Sequence, residues 1–198
     1  MPNLPNSITL ARIALVVVFT IAISITPEYP IGYPFALFTF AVAALSDWLD
    51  GYLARKLHLV TTFGKLIDPL ADKIAVSAAF IYLTAVQLCP IWVCILIISR
   101  EFLVTGIRQI AQENGIIIAA DNSGKWKTAF QLAFCLAGLL FMTTEHMGGP
   151  SWALVISEWW NPSGTIPVLY HVTLWGSVAL TVWSGLFYCY GSRKFIFR

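Results

Sequence analysis

Asp47-Trp48-Leu49-Asp50-Gly51-Tyr52-Leu53-Ala54-Arg55, eight further residues, then Gly64-Lys65-Leu66-Ile67-Asp68-Pro69-Leu70-Ala71-Asp72 gathers four of the chain's five aspartates into 26 residues. On both sides the sequence is apolar enough to sit in lipid. A charge near the bilayer centre costs at least ~2.5 kcal/mol on insertion scales, and like charges held together cost more. Four carboxylates kept in such surroundings require something cationic between them, and divalent metal meets that requirement.

Composition places the rest of the chain in the same class. Hydrophobic residues make up 58% of the 198, charged ones 11%, and mean hydropathy is +0.76. A soluble domain carries about 25% charge. Spanning a bilayer takes ~20 mostly apolar residues, and six runs of that length are read at about 8–25, 33–55, 66–87, 90–112, 125–144 and 168–190. Pro27 and Pro30 separate the first two, Gln87 and Pro90 mark the third turn, and Gly148-Gly149-Pro150 through Pro167 forms the longest connection. The predicted fold is an all-α integral membrane protein, one domain over 1–198, with six transmembrane helices around a polar cavity.

Lysine and arginine set the expected orientation. None of the twelve falls in the connections after the first, third and fifth spans, which hold Glu28, Gln87, Glu145 and Glu158 instead. Both termini and the 56–65 and 112–125 connections are therefore expected in the cytoplasm, with the cavity open to it. The first run has only Arg12 ahead of it and no small-x-small site before Pro27, so it reads as a retained span and not a cleaved signal. Without an organelle-targeting segment, the expected site is a bacterial inner membrane. Cys89, Cys94, Cys135 and Cys189 show neither metal spacing nor a disulfide framework, and read as helix filler. Trp152, Trp159 and Trp160, with Leu154, Val155 and Ile156 between them, suit a short helix lying at the outer membrane surface.

At about 100° per residue, Asp47, Asp50, Gly51, Ala54 and Arg55 fall within about 140° of one helix face. Asp68 and Asp72 lie one turn apart on the next helix, with Gly64 one turn earlier. Antiparallel packing through a tight turn would face the two carboxylate pairs toward each other. Carboxylates without His or Cys select hard cations such as Mg²⁺, Mn²⁺ or Ca²⁺. Four can hold two ions, the arrangement that clamps phosphoryl oxygens during an in-line displacement. Gly51 and Ala54, lacking bulk, admit either a large ligand or a neighbouring helix close to the backbone.

This run matches every fixed position of D-x-x-D-G-x-x-A-R-x(8)-G-x-x-x-D-x-x-x-D and so resembles the signature of the CDP-alcohol phosphatidyltransferases. The resemblance implies a six-helix membrane enzyme, commonly a homodimer, that holds two divalent cations (Mg²⁺ or Mn²⁺) on Asp47, Asp50, Asp68 and Asp72. It also implies Asp72 as general base, and Gly51, Ala54, Arg55 and Gly64 around the CDP part of the donor. The residues themselves leave Asp72 open as ligand or base. Lys73, about 100° around the helix from Asp72, reads as a helix contact or a membrane-edge residue.

A second charged group bears on the acceptor. Arg100 and Glu101 sit midway along the fourth apolar run, with Thr105 and Arg108 beyond, and Lys125 and Lys127 open the fifth. For Arg100, an internal ion pair with Glu101 or a motif aspartate competes with function. For Arg108, Lys125 and Lys127, positive-inside topology or anionic-lipid contact competes with convergence on an acceptor phosphate. The text Ser99-Arg100-Glu101-Phe102-Leu103-Val104-Thr105-Gly106-Ile107-Arg108, Ala119-Ala120, Gly124-Lys125-Trp126-Lys127-Thr128 and the opening Pro5-Asn6-Ser7-Ile8-Thr9-Leu10-Ala11-Arg12 resembles the phosphatidylglycerophosphate synthase branch of that family, as far as about residue 131. That implies transfer of a phosphatidyl group from CDP-diacylglycerol to glycerol 3-phosphate, with Thr105, Arg108, Lys125 and Lys127 around the acceptor. The expected partners are these two substrates, membrane lipids and a second copy of the chain; nucleic acid is not among them. The competing expectations are another acceptor in the same family, inositol phosphate or serine, and an ion-coupled transporter.

Overall fold

The computed structural model describes the backbone of residues 4–57, 62–113 and 123–196 and, within these, the side chains of 11, 13–46, 73–111 and 124–190. Every regular element among the described residues is a helix: α1 Leu4–Ile25, α2 Gly32–Leu57, α3 Thr62–Ala85, α4 Ile91–Glu113, α5 Ser123–Met147, α6 Ser151–Trp160 and α7 Val168–Ile196. The six apolar runs each become one long helix, and α6 is the short additional one.

The helices end where the backbone chemistry demands it. Gln87 takes φ 61° just past α3. Its amide donates to Thr84 O at 3.0 Å and the Leu88 amide to Leu83 O at 2.8 Å, closing a Schellman turn on carbonyls the helix leaves free. α5 stops at Gly148, which adopts φ 69°, a conformation glycine reaches without Cβ strain.

α5 is the centre of the bundle, packed on α2, α3, α6 and α7, while α1 packs on α2 and α3, and α4 on α3 and α7. Gly176 lets α7 approach α5: a Cβ there would run into the Phe130 ring. Phe80 stacks on Phe134 with centroids 5.5 Å apart, and Phe134 and Tyr170 both meet the Trp160 ring. Apolar side chains also cover the outside, where Phe38, Ile95, Trp183 and Leu186 are exposed. Lipid tolerates such a surface and water does not.

Among the described residues, Gly124–Met147 and Val168–Tyr190 are long and apolar enough to cross a membrane, and Ile13–Ile25, Gly32–Ser46 and Lys73–Ala85 are shorter apolar stretches. α4 is interrupted by Arg100, Glu101 and Arg108.

The short helix expected in the long connection forms as α6, but one of its tryptophans faces the other way. Trp152 and Trp159 are exposed, whereas Trp160 is fully buried with Ala153 and Ser157. Steps of four and three residues put these three on one helix face, and Ser157 is tied to α5 by a 2.6 Å bond with Thr144. All four cysteines are free, and Cys89, Cys94 and Cys135 are buried. Burial pushes the Cys89 thiol, in the α3–α4 connection, up to about 12, which leaves it unreactive at neutral pH.

Candidate active site

The aspartate motif occupies the end of α2 and the start of α3. Asp47, Asp50, Gly51, Ala54 and Arg55 fall in the last three turns of α2, and Gly64, Asp68 and Asp72 in the first three of α3. Their side chains lie outside the described ones, so the expected ligand set is placed by its backbone alone. No group of three or more His, Cys, Asp or Glu side chains suited to a metal occurs among the described residues. The donor chemistry at the motif's fixed positions, four carboxylates with no imidazole or thiolate among them, suits a hard divalent ion.

Directly beside the motif the bundle holds a partly open cavity of about 150 Å³. Phe40, Ala43 and Ala44 line it from α2, Ala43 standing one turn before Asp47. Lys73, Ala75 and Val76 line it from α3, Lys73 directly following Asp72. Glu101 of α4 and Thr128, Gln131 and Leu132 of α5 complete the wall. Small alanines on α2 and α3 keep the space open, and the polar side chains enter from α3, α4 and α5. Lys73 thus belongs to the cavity wall and not to the membrane edge.

Glu101 organises the charges around this space. It is 8% exposed, and its Oε1 accepts a hydrogen bond from Lys127 Nζ, itself 4% exposed. Arg100 Nη1 lies 3.5 Å from the same oxygen, and Arg100 Nη2 donates to Ser184 Oγ on α7 at 3.0 Å. Gly185 leaves room for that reach, since a Cβ there would stand 3.3 Å from Arg100 Cγ. The internal ion pair weighed for Arg100 is therefore present. Two cations share one carboxylate in an apolar setting, where an unpaired charge is costly.

The four residues considered for the acceptor do not converge on one point. Lys127 meets Glu101. Thr105 donates its hydroxyl to the Glu101 carbonyl at 2.8 Å, a bond within α4. Arg108 is turned to α7, with Nε 3.3 Å from Tyr188 Oη and its guanidinium 5.6 Å from that ring's centroid. Lys125 is exposed. Sequence reading did not single out Thr128 or Gln131, which carry no charge and fall in an apolar helix. Their only signal is polarity at a helical spacing of three.

A family model described as CDP-alcohol phosphatidyltransferase matches residues 2–183. A Bacillus subtilis (strain 168) protein named CDP-diacylglycerol–glycerol-3-phosphate 3-phosphatidyltransferase is 48% identical over 149 residues, covering 70% of this chain and 77% of its own length. A Rickettsia bellii protein of the same name is 32% identical over 193 residues, 98% of this chain and 97% of the relative. A Haemophilus influenzae protein, again of that name, is 38% identical over 151 residues, 73% and 79% of the two chains. The likeness carried by motifs stops near residue 131, whereas the Rickettsia match runs through nearly the whole chain.

Proposed function

The chain belongs to the CDP-alcohol phosphatidyltransferase family, and on that footing we propose that it transfers the phosphatidyl group of CDP-diacylglycerol to glycerol 3-phosphate. The products are phosphatidylglycerol phosphate and CMP. The observation that carries this reading is the identity, 48% and 32%, to relatives named for that reaction, together with an unbroken aspartate motif in this chain.

The four aspartates fit a metal pair by donor chemistry. Two divalent cations, Mg²⁺ or Mn²⁺, held by Asp47, Asp50, Asp68 and Asp72 would neutralise the pyrophosphate and lower the pKa of the attacking hydroxyl. Gly51, Ala54 and Gly64 leave space for the CDP moiety, and Arg55 meets its phosphate charge. Asp72 accepts the proton of the acceptor hydroxyl. That oxygen bonds to the phosphorus nearer the diacylglycerol while the bond to the CMP oxygen breaks, and CMP leaves with the electron pair. Arg108, Lys125 and Lys127, approaching from separate points, are the cations assigned to the acceptor phosphate, with Thr105 as a further contact. Lys127 serves there as one of two cations on a single carboxylate, so its charge is only partly spent.

In this reading the single domain, 1–198, crosses the membrane six times, with both termini and the motif end of the bundle in the cytoplasm. The lysine and arginine distribution supports that orientation. A bacterial inner membrane and a homodimer complete the proposal. CMP release by the purified protein from CDP-diacylglycerol, with and without Mg²⁺ and across a panel of acceptors, tests it. Release only with metal and glycerol 3-phosphate supports the assignment. Release with inositol phosphate or serine instead keeps the chemistry and replaces the acceptor; none at all, from folded protein, removes the transferase reading.

A further inference from the structure

Three side chains of α7 lie on one face, and each accepts a hydrogen bond from another helix. Thr181, Ser184 and Tyr188 follow one another at steps of three and four residues. Thr181 Oγ1 accepts from Gln131 Nε2 of α5 at 3.1 Å, and Ser184 Oγ from Arg100 Nη2 of α4 at 3.0 Å. Tyr188 Oη accepts from Arg108 Nε of α4 at 3.3 Å. All three acceptors are on buried residues. Ser184 gives its own proton to Leu180 O at 2.6 Å, which leaves its lone pairs for the guanidinium. The next residue, Gly185, carries no Cβ where the Arg100 stem passes.

The wall of the cavity beside the motif comes, among the described residues, from α2, α3, α4 and α5, and α7 packs on the last two of these. Two polar residues of that wall are tied to α7. Gln131 is bound by Thr181 directly. Glu101 is reached through Arg100, whose Nη1 lies 3.5 Å from the carboxylate oxygen that also receives Lys127. Arg100 thus divides its guanidinium between Ser184 and Glu101. Without the Ser184 oxygen, one of its N–H groups loses an acceptor in an apolar setting, and the carboxylate is within reach. The guanidinium then shifts onto Glu101 and competes with Lys127 for it. We infer that Ser184, with Gly185 beside it, is a positioning residue of the acceptor site, acting through Arg100 and Glu101 on Lys127. This rests on the acceptor reading proposed above and extends it to a helix beyond the motif-bearing part of the chain.

The test measures CMP release by the full-length protein with Mg²⁺, varying glycerol 3-phosphate and CDP-diacylglycerol in turn. Ser184→Ala is expected to raise the KM for glycerol 3-phosphate about three- to tenfold, less than the loss of a direct hydrogen bond to a charged group, because the effect is relayed. The kcat and the KM for CDP-diacylglycerol should stay within about twofold. Ser184→Thr returns an oxygen to the position and is expected to bring the acceptor KM back. Gly185→Ala presses on the Arg100 stem and is expected to raise that KM as Ser184→Ala does. Ser177, also buried on α7, gives its hydroxyl to Thr173 O at 2.7 Å, and Ser177→Ala is the control expected to leave every constant unchanged. A fall in kcat at an unchanged acceptor KM, or equal effects of Ser177→Ala and Ser184→Ala, shows a merely structural hydroxyl and overturns the inference. No change at all in Ser184→Ala overturns it too, while the transferase reading stands. Should Ser184→Ala fail to fold, Gly185→Ala, which keeps the hydroxyl in place, decides alone. A wild type that releases no CMP with glycerol 3-phosphate overturns the functional reading, and this role with it.

Discussion

Lys127 at the start of α5 places its ammonium on the carboxylate of Glu101, 26 residues earlier on α4, and both side chains are buried. The pair spans two helices that, among the described residues, do not otherwise pack on each other and that both line the cavity beside the motif. Removing one partner of a buried pair leaves a charge without compensation, which costs about 3–5 kcal/mol, whereas replacing both with apolar groups is often neutral. Glu101→Leu is therefore expected to lower stability by about 3–5 kcal/mol. The double variant Glu101→Leu/Lys127→Met should recover most of it while remaining inactive. Thermal unfolding in detergent reads both, and equal destabilisation of single and double variants contradicts the pairing.

Asp68 lies in the second turn of α3, on the motif's second carboxylate pair. Asp68→Asn keeps the size of the side chain and removes the charge a hard cation requires. Turnover is expected to vanish while the protein still inserts and folds. Full activity in this variant would sink the two-cation proposal.

How far the sequence led can be judged from particular residues. Each long helix was legible because an apolar run with a proline or glycine break leaves little else to form in lipid. The ends drifted outward: the run at 168–190 continues to Ile196, because polar residues there propagate a helix as readily as apolar ones. Rotation about each helix axis was not legible. Spacing put Lys73 away from Asp72, yet packing turns it into the cavity wall. Trp160 read like its neighbour Trp159, but only contact with Phe134, Phe141 and Tyr170 decides that it turns inward. The Glu101–Lys127 bond was hidden for the same reason, since nothing in either segment specifies which face meets the other.

That difference between adjacent tryptophans gives a direct test of the packing. Trp160 is fully buried, whereas Trp159 is 55% exposed. Trp160→Ala is expected to cost about 3–5 kcal/mol through the cavity it leaves. Trp159→Ala should stay within about 0.5 kcal/mol. Unfolding midpoints of the two variants in one detergent check the contrast, and comparable losses would contradict the inward orientation.

Arg108 separates the two substrates in a way the aspartates cannot. Its guanidinium lies against Tyr188 of α7, and the residue is exposed, so truncation removes a cation without opening the core. If that cation serves the acceptor phosphate, Arg108→Ala raises the apparent KM for glycerol 3-phosphate by roughly tenfold, the scale of one charge-assisted hydrogen bond. The KM for CDP-diacylglycerol then moves little. Tyr188→Phe, which removes only the hydroxyl, should produce a smaller change in the same direction. Initial-rate measurements with each substrate varied in turn distinguish the cases. An unchanged acceptor KM with weakened donor binding would assign Arg108 to the nucleotide side, and the acceptor phosphate would then fall to Lys127 and the cations around Glu101.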